Sequence, residues 1–183
     1  DYPFRLMVKL FSATGLPWVI MEKLFLVAII VLAAWSSYRL SGRFFKEKWT
    51  RLVSSIAYVG NTYFFLVLGG GQLGVAASYA FFPFALLMWI QLLKSPSFRK
   101  AIGTGVAFGL LVALDLRIAY LCMLAFVLYG ALVPRTFLSC IKYIAASLAV
   151  AASLHLYWLL PAAIAGPFPL PQSATGVGSL SFF

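Results

Sequence analysis

Residues 101–133 read AIGTGVAFGLLVALDLRIAYLCMLAFVLYGALV. Two apolar runs, 101–114 and 118–133, flank Asp115-Leu116-Arg117. A membrane-spanning helix needs about 20 residues, so the stretch is too long for one span and each half is short for one. Two arrangements are open. One is a pair of helices that turn back at the DLR. The other is a single long tilted helix carrying an intrahelical Asp–Arg pair.

The distribution of positive charge chooses between them. The chain has 183 residues, 14 Lys and Arg, 4 Asp and Glu, and a net charge of +10. Most of the basic residues fill three short gaps between apolar runs. Arg39, Arg43, Lys46, Lys48 and Arg51 occupy the first, Lys94, Arg99 and Lys100 the second, and Arg135 and Lys142 the third. The intervening gaps, Gly69-Gly70-Gly71-Gln72 and Asp115-Leu116-Arg117, hold almost none. Lys and Arg accumulate in cytoplasmic loops. The three basic gaps share one side only if every apolar run is a separate span. This predicts six spans, over 22–38, 52–68, 75–93, 101–114, 118–133 and 137–165, with a hairpin at the DLR. Only Arg5, Lys9, Lys23 and Arg117 then fall on the opposite face.

The expected fold is therefore an all-α polytopic transmembrane bundle. Residues 1–21 form an outer-face loop and an amphipathic interfacial helix. Residues 22–165 form the bundle, and 166–183, rich in Pro, Gly and Ser, an outer-face loop. In the first segment Phe4, Met7, Val8 and Phe11 recur at helical spacing, with Arg5, Lys9 and Ser12 between them. Gly15 and Pro17 end that helix, and Trp18 suits the interfacial aromatic belt. Asn61 interrupts the second span and needs a partner inside the bundle. Pro83 in the third predicts a kink or a broken helix. The chain opens at Asp1 without Met and closes in a loop-like stretch, so it reads as a piece of a longer protein.

Composition excludes several functions. The chain is 63% hydrophobic and 10% charged, with mean hydropathy +1.00. A soluble domain carries about 25% charged residues. Nucleic acid is excluded as partner, because the basic residues flank apolar runs and no polar face exists to form a groove. They read as anchors to anionic lipid headgroups. Cys122 and Cys140 lie within or beside apolar segments without CxxC spacing, and the chain has one His. They read as free packing residues, with no zinc site.

The candidate chemistry gathers on the face away from the basic loops. Asp1 is a carboxylate that can act as a base or hold a divalent cation; on its residues alone it reads first as an ordinary loop Asp. The glycines before Gln72 can bring backbone amides to an anionic headgroup, but lack the Lys and Ser/Thr of a P-loop. They also suit a tight turn. Asp115 and Arg117 are the ionisable pair between two apolar runs: a phosphate site oriented by a carboxylate, or a hairpin whose charges reach the headgroups. His155 is either a base or phosphate donor, or a bundle histidine bonded to a neighbouring helix. No Ser-His-Asp set, HExxH or Rossmann fingerprint is present.

Three stretches carry a family resemblance. They are DYPFRL (1–6) with GLPWVIMEKLFLVAIIVLAAWSSYRL (15–40), AYVGNTYFFLVLGGGQLGVAASYAFFPFALL (57–87), and the helix pair around LDLR (114–117). Together they resemble GT-C type multi-spanning membrane glycosyltransferases, in particular prokaryotic members akin to arabinofuranosyltransferases. The resemblance implies an acid in the first outer loop, an amphipathic helix after it, and a Gly-Gln turn before a proline-bearing helix. It implies sugar transfer from a polyprenyl-phosphate donor at the extracytoplasmic face of a prokaryotic plasma membrane. Asp1 would match the outer-loop acid, as base or as ligand of Mg or Mn, and Gln72, Arg117 and His155 would face the donor. The span that precedes the acid in that family and its following soluble domain are missing from this chain. The rival is a non-catalytic subunit of a larger membrane complex, which the sparse polar inventory favours. A transporter would need an inverted repeat, and none is evident.

Overall fold

The computed structural model describes residues 17–165, together with Lys9 and Gly15. Asp1, the amphipathic helix expected within 1–21 and the 166–183 loop lie outside the described residues. The secondary structure of those described is all α-helix, joined by short turns. In chain order the helices are α1 (Trp18–Ser41), α2 (Lys48–Val59), α3 (Thr62–Gly69), α4 (Leu73–Lys94) and α5 (Phe98–Leu114). They continue with α6 (Leu116–Leu132), α7 (Pro134–Ser139), α8 (Ile141–Leu154) and α9 (Leu156–Ala165).

Among the described residues two helices are long and apolar enough to cross a membrane alone, Val19–Ser41 and Leu73–Lys94. Lys48–Val59 and Thr62–Gly69 together make a third candidate, bent by 43° at Gly60-Asn61. The remaining helices are shorter. A 17-residue helix such as α5 rises about 25 Å, short of a hydrocarbon core of about 30 Å. The run expected as one span over 137–165 is divided among α7, α8 and α9. The first span begins earlier than expected: α1 starts at Trp18, because the Pro17 carbonyl accepts from the Ile20 and Met21 amides.

The DLR divides two helices that fold back on each other. Asp115 is extended (φ −159°, ψ 122°), and it closes α5 and opens α6. The rings of Phe108 and Phe126 lie 5.6 Å apart on the two sides of it. In one straight helix those residues would be about 27 Å apart.

α4 is the pillar of the bundle and packs against α1, α3, α5 and α6. The helix runs through Pro83 without a break. A proline removes the amide that would bond the carbonyl four residues earlier, here that of Tyr79. The Tyr58 hydroxyl donates to that carbonyl at 2.8 Å. The Tyr79 hydroxyl in turn donates to the Tyr58 carbonyl at 3.2 Å, and the two rings stack at 4.5 Å. Asn61 finds its partners in the same group. Its Nδ2 donates to Tyr58 O and Tyr79 Oη, each at 2.5 Å, while its Oδ1 caps α3 at the Phe64 amide. On the other side of α4, Ser36 donates to the Ala80 carbonyl at 2.6 Å, and Ser55 of α2 donates to Ala34 of α1 at 2.7 Å. Such side-chain bonds hold helices together where lipid supplies no hydrophobic drive between them. Tyr58→Phe keeps the stacked ring and strands the Tyr79 carbonyl. It is expected to lower unfolding free energy in detergent by about 1–3 kcal/mol. A loss no larger than that of Tyr63→Phe, whose side chain is exposed, would refute this role.

α5 and α8 meet most extensively. They run parallel: Phe98 contacts Tyr143, Gly105 lies against Ser147 and Val150, and Gly109 against Ala151 and Leu154. Gly105 and Gly109 face the small residues Ser147 and Ala151, so the backbones approach closely.

These contacts also sort the loops. Tyr38, Arg39, Arg43 and Arg51 share a cleft with Leu87 and Gln91 late in α4. Cys140, between Arg135 and Lys142, lies 3.8 Å from the Leu93 carbonyl. All three basic segments thus gather at the end of the bundle where α4 finishes. The Gln72 and DLR turns occupy the opposite end.

Candidate functional site

Gln72, Asp115 and Arg117, three of the residues expected from sequence, lie where α3 turns into α4 and α5 into α6. These turns are adjacent, since a Cβ on Gly74 would stand 3.0 Å from the Leu114 carbonyl oxygen.

The glycine turn is a helix stop. Gly71 takes φ +70°, open to glycine without the penalty that a Cβ brings. Its amide donates to Leu68 O at 3.1 Å, and the Gln72 amide reaches back to Val67 O at 3.1 Å. This is the Schellman pairing that closes the last carbonyls of a helix. The Gly70 amide bonds Leu66 O and the Leu73 amide bonds Gly71 O. The amides of residues 70–73 are therefore occupied by the chain itself, and the expected amide cradle for an anionic headgroup is corrected accordingly. Gln72 keeps an exposed side chain at this end.

Asp115 and Arg117 are built as a unit. Asp115 Oδ1 accepts the Arg117 amide at 2.9 Å and the Ile118 amide at 3.2 Å, which caps α6. The same carboxylate grips the Arg117 guanidinium, with Nη2 2.9 Å from Oδ2 and Nε 3.3 Å from Oδ1. The Asp115 side chain is 12% exposed and that of Arg117 73%. Partial burial pushes the Asp115 carboxyl up. The Arg117 guanidinium and the two amides outweigh it and hold the group below the usual carboxylate range. Two of the five guanidinium N–H groups are engaged by Asp115, which leaves three directed to the surroundings. Arg117 also lies within electrostatic reach of Tyr63, an exposed phenol in the first turn of α3. Sequence reading passed over Tyr63, because interfacial tyrosines are common at span ends.

His155 lies against Gly109, six residues before Asp115 along α5. It is 5% exposed, in the break between α8 and α9. The Trp158 indole N–H donates to its Nδ1 at 3.0 Å, which makes Nε2 the protonated nitrogen. Nε2–H donates to the Gly109 carbonyl at 2.9 Å. Both ring nitrogens are thus committed to protein partners that join α5, α8 and α9. The arrangement matches the structural reading of His155 and leaves no ring nitrogen for a donor phosphate in this conformation. Gly105-Val-Ala-Phe-Gly109, a small-xxx-small pattern, was the legible signal for the helix face that receives it.

Asp1, the expected base or metal ligand, is outside the described residues. Among the described residues no three of His, Cys, Asp and Glu come together as a metal-binding group. The arrangement that remains is a clamped, exposed guanidinium within electrostatic reach of a phenol, with the exposed Gln72 on the adjacent turn at the same end of apolar helices. It suits recognition of an anion at a membrane surface. Comparison with family models, curated proteins and solved structures finds no match for the chain.

Proposed function

We propose that this chain is part of a membrane transferase that takes a sugar from a polyprenyl-phosphate donor at the Gln72 end of the bundle. In this reading the apolar helices make six crossings of a prokaryotic plasma membrane, with the basic end cytoplasmic. Arg117 holds the phosphate that leaves as the sugar departs. Asp115 orients the guanidinium, and Gln72 and Tyr63 contact the donor. Asp1 removes the acceptor proton or binds Mg or Mn. The supporting observation is the Arg117 guanidinium, fixed from one side by Asp115 and 73% exposed on the other. Charge that develops on a leaving phosphate is stabilised best by a donor already held in place.

The test is transfer from a polyprenyl-phosphate sugar by the intact protein in bilayer nanodiscs. Arg117→Ala should lower turnover by about 100-fold while leaving the thermal unfolding midpoint nearly unchanged. Turnover within about threefold of the parent protein would sink the assignment.

A second reading, a non-catalytic subunit of a larger membrane complex, is favoured by the groups that the fold itself consumes, namely His155 and the amides of residues 70–73. Purification in mild detergent separates the two. A stoichiometric complex that retains its activity after Arg117→Ala supports the subunit role.

A further inference from the structure

At the basic end, α1, α2 and α4 leave a cleft of about 320 Å³ between them, lined by Tyr38, Arg39, Arg43, Arg51, Leu87 and Gln91. This volume falls at the lower end of the range of small-molecule sites. Its α4 lining, Leu87 and Gln91, lies 15 and 19 residues along the chain from Gln72, about 22–28 Å away, so it is distinct from the Arg117 end.

Its cations come from three places in the chain: the last turn of α1, the loop after it, and the first turn of α2. Arg51 is held in position by the loop backbone. Its Nε donates to Phe45 O at 2.8 Å and its Nη2 to Lys46 O at 3.0 Å, which leaves three N–H groups free of these bonds. Gly42 makes the room, since a Cβ there would stand 3.3 Å from Arg51 Nη1. The Arg39 guanidinium lies 5.7 Å from the Trp35 ring centre, and the Arg43 side chain is exposed. Tyr38 and Gln91 add polar groups, and buried Leu87 lines the α4 side.

Among the described residues no acid lines this cleft or pairs with its arginines. Among the described residues the ion pair is that of Asp115 and Arg117, at the other end. Glu47, the acid nearest in sequence, does not line the cleft. Three guanidiniums brought together without a carboxylate repel one another. Loose anchors would spread outward over the headgroups. Here Arg51 is instead tied inward by two backbone carbonyls, which holds the charges around one space.

We propose that this cleft binds a phosphomonoester or diphosphate group, carried by a lipid or by a soluble compound. Guanidiniums grip phosphate oxygens with paired N–H groups, and a dianion answers more than one of them at once. The inference stands apart from the transferase reading and from what occupies the Arg117 end.

Native mass spectrometry of the intact protein in detergent tests it, with phosphatidic acid, phosphatidylglycerol, phosphatidylcholine and inorganic phosphate as probes. Phosphatidic acid should bind best, since it alone of the three lipids carries a phosphomonoester. Arg51→Gln also removes the bonds to Phe45 and Lys46 and can disturb the loop. The decisive variant is therefore Arg39→Gln with Arg43→Gln, neither of which holds the backbone. It should lower phosphatidic acid binding by about tenfold. The control, Lys46→Gln with Lys48→Gln, removes equal charge outside the cleft and should stay within about threefold. Displacement of the lipid by equimolar inorganic phosphate supports the site with a soluble ligand; retention supports it with a lipid. Equal losses in the two double variants, or no preference for phosphatidic acid over phosphatidylglycerol, would overturn it.

Discussion

Gly105→Val is expected to unfold or rearrange the C-terminal half of the bundle. A Cβ at this position would stand 2.4 Å from the Ser147 carbonyl oxygen and 2.8 Å from Val150 Cβ. The obstacle is backbone, so a change of rotamer cannot relieve it. α5 and α8 would have to separate along their length, which opens the contacts that bury Ala101, Ala107, Ile144 and Ala151. Overpacking of this kind costs about 3 kcal/mol or more when the neighbour cannot yield. Even Gly105→Ala should be clearly destabilising. Gly69→Ala is the control: it sits in the exposed last turn of α3, where a Cβ meets nothing within 4 Å. That change should be neutral or stabilise by about 0.5–1 kcal/mol, because alanine suits a helix better than glycine. Thermal unfolding in detergent compares the three. Unfolding midpoints for the Gly105 variants that match that of Gly69→Ala would show that the α5–α8 approach is not close in solution.

His155→Leu carries the second large effect. The substitution removes the donor to the buried Gly109 O, in the seam where α5, α8 and α9 join, and takes the acceptor from the indole N–H of Trp158, a residue 41% exposed. An unpaired buried polar group costs about 1–3 kcal/mol. The expected loss is about 2–3 kcal/mol, with α9 loosened from the bundle. Trp158→Phe removes the indole donor and part of a ring on a 41% exposed residue, and should cost less. Because the two residues share a bond, the double variant should be less destabilised than the sum of the single ones. A stability loss of this size marks His155 as a structural junction. Loss of transfer activity in a variant of parental stability would instead return it to the donor site and contradict this geometry.

The site was legible in part. Asp115 and Arg117 stood out because ionisable residues are rare between apolar runs, and charges near a bilayer need a partner. Each is the other's partner, and Asp115 also caps α6. The glycines before Gln72 left two readings open, because a run of glycines suits both an anion cradle and a helix stop. Only the path of the backbone distinguishes them, and the bonds to Val67 and Leu68 settle it as a stop. His155 was ambiguous because a single His carries no spacing information. Its partners, Gly109 and Trp158, come from another helix and from the following turn.

Taken by itself, the sequence determined the helical class, the membrane character and the break within residues 101–133. Each follows from local properties: hydropathy, the rarity of charge, and an Asp placed to cap a helix. Basic residues collected in alternate gaps, and the bundle gathers those gaps at one end. The tertiary structure alone decided which polar groups the fold consumes and which remain outward. Pro83 frees a carbonyl that Tyr58 answers from another helix, and Gly105 allows α8 to approach until His155 reaches α5. Such bonds join residues about 20 to 50 positions apart, and no pattern of neighbours along the chain encodes them. Arg117, Arg39 and Arg43 stay exposed for the opposite reason: among the described residues no carboxylate lines the cleft, and Asp115 covers only one side of Arg117.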